Sequence, residues 1–144
     1  MKKFFLLTFA FCCVSLFAQT AFLDQKKNIE SSQEWNREIT RKSEGDMRFK
    51  ILSEGSISVT FMTDALHTAL VKKDMNAVKS LKKGVLFSTD SSGTTFERTM
   101  HLESGDYWFI IRNNLKKDAE VRLECFEITN QPSKIFNTET NSQG

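Results

Sequence analysis

The residues of this chain that could do chemistry are few: His67 and His101, Cys125, and the acids that alternate with them. Glu97, His101 and Glu103 stand at even spacing, so on an extended strand they share one face and offer two carboxylates and an imidazole to a metal ion. Such a set leaves the coordination sphere incomplete, and solvated residues on an outer sheet face produce the same pattern. They stand as weak metal candidates only. A thiol enzyme would pair Cys125 with one of the histidines. Val121, Leu123 and Cys125, however, alternate with Arg122 and Glu124, which puts the thiol on an apolar face where desolvation opposes the thiolate. His67, between Leu66 and Thr68, reads as a sheet or rim residue. With no Gly-rich phosphate loop, zinc-ligand spacing or nucleophile elbow in the sequence, the chain reads as a non-enzyme without a cofactor.

The elements that must position these residues follow a period of two. Met47, Phe49 and Ile51 alternate with polar residues, as do Ile57, Val59 and Phe61, and then Phe96, Met100 and Leu102. The spacing predicts strands near residues 35–40, 47–52, 56–63, 66–71, 85–88, 94–102, 106–112 and 120–128, with Glu54-Gly55 as a short hairpin turn. One stretch supports two readings. Asp64 to Lys83 is either a single helix stopped by Gly84, or a strand over 66–71 followed by one short helix near 74–83 capped by Asp74. The second keeps the sheet continuous and is preferred. The expected fold is all-β, an antiparallel two-sheet sandwich, jelly-roll-like, of about eight strands.

Outside this domain, placed at 34–129, the sequence changes character. Lys2 and Lys3 precede an apolar run from Phe4 to Phe17 that ends at Ala18, so residues 1–18 read as a secretory signal peptide. Export to the periplasm or the exterior follows, and no later segment is long and apolar enough to span a membrane. Lipidation at Cys12 or Cys13 is the less favoured alternative, because Phe11 and Cys12 are poor substitutes for the small residue that precedes a lipidated cysteine. Residues 19–33 read as a polar linker and 130–144 as a flexible polar tail. Without Lys2 and Lys3, 18 of the 20 basic residues remain against 18 acidic ones. That balance removes the support for nucleic-acid binding.

The segment Thr99-Met100-His101-Leu102-Glu103-Ser104-Gly105-Asp106-Tyr107-Trp108-Phe109-Ile110-Ile111-Arg112-Asn113-Asn114, followed by Ala119-Glu120-Val121-Arg122-Leu123, resembles the ending of bacterial pre-peptidase C-terminal domains and related GOLD-like sandwiches. The likeness lies mainly over residues 99–128. It implies a secreted accessory module without catalysis, in families some of whose members bind carbohydrate or protein. Gly105 would serve the turn and Tyr107 the core. No protease domain precedes the motif here, and the acidic loop clusters of calcium-binding relatives are missing.

Two surfaces could hold a partner. Lys72, Lys73, Lys79, Lys82 and Lys83 form a dense cationic cluster, read mainly as a solvated helix face and otherwise as a contact for an anionic partner. The final strands are more informative. If Tyr107, Phe109 and Ile111 face the core, Trp108 and Arg112 face away, and Phe126 joins them if the register shifts after Cys125. Either this second face is covered from within, by the segment around Trp35 or the helix at Met75 to Leu81, or Trp108, Arg112 and Phe126 form an aromatic binding platform. The functional expectation is a binding or assembly module for carbohydrate or a protein partner. A structural role in an envelope or extracellular assembly, and a metal-assisted hydrolase around His101, are the alternatives.

Overall fold

The computed structural model describes residues 21–91 and 94–128, so the leader at 1–18 and the tail at 130–144 lie outside the described residues. Among the described residues eight strands form two antiparallel sheets. One has the order β1 (Ala21–Ile29), β8 (Ala119–Ile128), β3 (Gly45–Ser53), β6 (Thr95–Leu102). The other has the order β2 (Glu34–Arg41), β7 (Gly105–Asn113), β4 (Ile57–Thr63), β5 (Val85–Ser91). First pairs with last and so inward: β1 with β8, β2 with β7, β3 with β6, β4 with β5. The chain is one long hairpin, and rolling it up adds the β3–β8 and β4–β7 pairs of a jelly roll.

The expected all-β sandwich is therefore the fold, but its eight strands are not the eight read from periodicity. Ala21–Ile29, placed in a polar linker, is strand β1, so the sandwich begins ahead of residue 34. It pairs only with β8, and its inward positions Gln25 and Lys27 lie at the rim, which removes the apolar alternation that marks a strand. Residues 66–71, read as a strand, belong to helix α1 (Asp64–Val71), followed by α2 (Met75–Ser80) and a 3₁₀ turn over Lys82–Gly84. Leu66 and Ala69 are the buried residues of α1 while Leu70 is exposed, a helical spacing and not an alternating one. The cap on α2 is as expected: the Asp74 carboxylate accepts the Ala77 amide at 3.1 Å. Glu54-Gly55 is a crossing between the sheets, not a hairpin turn, since β3 and β4 lie in different sheets.

Hydrophobic burial holds the layers together. Phe49 on β3 meets Phe109 edge-on at 5.0 Å and lies 5.2 Å from Phe87 and 5.9 Å from Phe61, all three from the other sheet. Each such side chain contributes roughly 2 to 3 kcal/mol by leaving water. A buried polar network orders the end where the turns meet. There the buried Asn113 side chain donates to the Ile29 and Lys117 carbonyls at 2.9 and 2.8 Å and accepts the Leu115 amide at 2.8 Å. It ties the β1–β2 turn to the β7–β8 turn with no bond left unmade. Gly105 opens β7 at φ 149°, a conformation that only glycine adopts freely, and the Tyr107 hydroxyl donates to the Glu103 carbonyl at 2.9 Å. The turn and core roles expected of these two residues are those observed.

Gly84 is where the helical segment closes onto the sandwich. A Cβ there would stand 2.5 Å from Thr63 Oγ1 and 3.0 Å from Leu66 Cβ. Gly84→Ala should therefore cost about 1 to 3 kcal/mol, the scale of overpacking. Urea denaturation would show a lower midpoint at unchanged slope, and an unchanged midpoint would contradict the packing.

Candidate functional site

With Phe109 and Ile111 inward, β7 turns Trp108, Ile110 and Arg112 out onto the face of its own sheet. The register sets their neighbours: Trp108 between Glu38 and Met62, Ile110 between Asn36 and Thr60, Arg112 between Glu34 and Ser58. Helix α1 leaves β4 directly and lies over this face. Trp108 Nε1–H donates to Asp64 Oδ1 at 2.8 Å, and the His67 ring stacks on the indole at 3.9 Å and 13°. Trp108 is thus half-buried under α1, not under Trp35 or the helix at Met75, because Trp35 points into the core and α2 has no buried residue.

Next to this stack a cleft of about 320 Å³ opens between α1 and the sheet. Ile110 and Met62 form its apolar base, and Leu70 and Val71, 43% and 67% exposed, form the lip on the helix. Glu34, Asn36 and Thr60 supply polar groups along the strands. The Arg112 guanidinium lies 3.8 Å from Glu34 at one end. Sequence reasoning singled out Trp108 and Arg112 but missed Asp64, His67, Leu70 and Val71, whose signal was the helical spacing of Asp64 and His67.

Phe126 does not join them. It is on β8, in the other sheet, and faces out on the opposite side of the sandwich, where the Arg48 guanidinium covers its ring at 4.7 Å. The platform of Trp108, Arg112 and Phe126 is corrected on this ground: β7 and β8 follow each other in sequence but pair in different sheets, so their outward faces point apart. The side that carries Phe126 holds several ion pairs. Arg122 binds Asp24 at 2.6 Å and Glu124 at 3.0 Å, and Lys26 meets Glu120 at 3.7 Å. A concavity of about 320 Å³ on that side is bordered by the paired Lys26, Glu120 and Arg122 and by Glu54.

The weak metal candidates are also kept apart. Glu97 binds Arg48 at 3.3 Å, while His101 binds Asp46 through Nδ1 and Glu44 through Nε2, each at 2.8 Å, so its two nitrogens are engaged in divergent directions. Glu103 lies beyond the end of β6. Among the described residues no three His, Cys, Asp or Glu side chains are placed to hold a metal ion. Cys125 is fully buried, and burial pushes its thiol up to about 12 although Arg37 and Arg41 oppose the shift. No thiol–histidine pair forms among the described residues, since His67 and His101 lie on outer faces and Cys125 lies between the sheets.

No family model matches the sequence, and no curated protein matches it. Solved structures do match. The pre-peptidase C-terminal domain of collagenase from Bacillus anthracis superposes with a TM-score of 0.53 at 10% identity, over 72% of this chain and 87% of that one. A carbohydrate-binding module of Cellvibrio mixtus lichenase 5A, solved in complex with cellotriose, gives 0.42 at 12% identity over 76% and 91%. The Yersinia pseudotuberculosis-derived mitogen gives 0.46 at 10% identity over 78% and 90%. The first likeness shows that this chain shares the sandwich fold of the pre-peptidase C-terminal domains, the resemblance its residues 99–128 suggest. Among the described residues no helix is long and apolar enough to cross a membrane.

Three variants check this geometry. Trp108→Ala should lower stability by about 2 to 3 kcal/mol, less than for a fully buried Trp, and should shift the amide resonances of α1. Phe126→Ala should leave those resonances in place. His101, held above its ordinary value of 6.5 by hydrogen bonds to Glu44 and then Asp46, stabilises the fold when protonated. Its contribution is complete below the unfolded value and lost as pH rises through the raised folded value. The stability gap between the parent and His101→Gln should shrink over that rise, and a gap that grows would contradict the bonds from His101 to Glu44 and Asp46.

Proposed function

We propose that this chain is an exported, non-catalytic binding module whose α1 cleft receives an apolar side chain of a protein partner. The observation that carries the reading is the pairing of the Ile110 and Met62 base with the exposed Leu70 and Val71 lip, an apolar slot left open on an otherwise polar sheet face. Asn36 borders the slot with a side-chain amide free of hydrogen bonds among the described residues, suited to a partner's peptide group. A carbohydrate partner is less well served: the indole that would stack on a sugar ring already stacks on His67. The absence of catalysis is supported by the thiol's burial and by the engagement of both imidazoles in structural contacts. Export rests on the charged and apolar run of the first eighteen residues.

A displayed random-peptide library and a glycan array, screened in parallel with the full chain, test the proposal. Peptides carrying an aliphatic or aromatic anchor should be selected, and their binding should perturb the methyl resonances of Ile110, Leu70 and Val71. Val71→Asp should weaken a selected peptide about tenfold or more while leaving stability within about 0.5 kcal/mol, because Val71 is exposed. Selected peptides that map elsewhere, or a glycan that competes at the cleft, would overturn the assignment.

A further inference from the structure

Strands β1 and β2 form the rim on one side of the sandwich, one edge from each sheet, and border a common cleft there. Their inward-facing positions carry cations where a core residue is expected. Arg37 lies opposite Phe109 and Arg41 opposite Gly105 on the inner face of β2, and Lys27 lies opposite Val121 on the inner face of β1. Arg41 is only 4% exposed; one of its terminal nitrogens donates to Glu127 Oε1 at 2.9 Å, while its Nε is buried without a partner. Arg37 is half-buried, its Nε is likewise buried and unpartnered, and it makes no ion pair among the described residues. The Arg41 guanidinium stands 5.9 Å from the centre of the Phe22 ring, which borders the same rim as Arg37.

A cleft of about 290 Å³ opens at this place, lined by Arg37 with Phe22, Leu23 and Ile39. Glu38 and Thr40 also border it, from the outer face of β2, and Glu38 makes no bond to Arg37. The buried Nε of Arg37, without an acceptor among the described residues, is costly, and an anion that engages the guanidinium relieves the cost. Glu127, the one carboxylate bound here among the described residues, serves Arg41. The planar fork of Arg37 matches the paired oxygens of a carboxylate, sulfate or phosphate. We infer that the β1–β2 rim is a binding site for a compact oxyanion, held by Arg37 with Arg41 behind it. This site is separate from the α1 cleft and does not rest on it, since Arg37 faces inward from β2 while Asn36 faces outward.

Inward charges on edge strands also discourage edge-to-edge pairing. That role needs charge but not a fork, and Arg37→Lys separates the two. The side-chain Nε–H resonances of the arginines in the full chain would be followed during titration with sodium sulfate, phosphate or acetate, each against chloride at constant ionic strength. At least one oxyanion should shift the Arg37 resonance saturably in the millimolar range while chloride does not. Arg37→Lys, with an otherwise parent-like spectrum, should weaken that binding about tenfold, read from the surrounding amides. Saturation by sulfate and phosphate alone would mark a tetrahedral ligand, and by acetate alone a carboxylate. No saturable shift with any of the three in the parent protein would overturn the inference whatever the variant does. So would an equal response to chloride, or unchanged affinity in Arg37→Lys.

Discussion

Neither sheet of this sandwich can bury its apolar face without the other, and the contact that joins them is the insertion of Phe49 among Phe61, Phe87 and Phe109 of the facing sheet. That interlock sets more than stability. A strand that slips by one residue exchanges its two faces, so seating Phe109 against Phe49 is what turns Trp108, Ile110 and Arg112 toward α1. The outward face is therefore a by-product of the inward one. Its residues were free to become a cleft because the core had already decided where they point.

The same logic separates what the sequence disclosed from what it did not. Strands β3, β4, β7 and β8 bury long alternating runs, and their existence, their core faces and the buried thiol at Cys125 were legible from period alone. β1 was not, because an edge strand with one partner needs little apolar alternation; its Gln25 and Lys27 point inward at a rim where water reaches. α1 was misread because Leu66, Ala69 and Leu70 satisfy short stretches of either period, and a strand there looked necessary to continue the sheet. Both sides of β4 are instead taken, by β5 and β7.

The candidate site was legible in half. Alternation tells which side of a strand a residue occupies, but not which of two sheets the strand joins. Trp108 and Arg112 share a strand and so share a face, while Phe126, on the next strand in sequence, stands on the far side of the molecule. The Asp64 and His67 contacts to Trp108 depend on where a helix lands, forty residues of chain away from the indole. Strand β2 shows a further use of two-sidedness: Asn36 belongs to a cleft outside the sandwich and Arg37 to a rim within it, with one peptide bond between them.

The nested pairing of first strand with last has a consequence for the chain as a polymer. Each pair closes a loop that is short only if the pair inside it has already formed, so the cheapest order of assembly runs from the helical turn at α1 and α2 outward to β1 and β8. Ala21 and Phe126 finish as neighbours. A circular permutant joined beside those two residues and opened at the α1–α2 turn would keep every strand in place while reversing this order. Its most local pair would be β1 with β8, and its last to close would be β4 with β5.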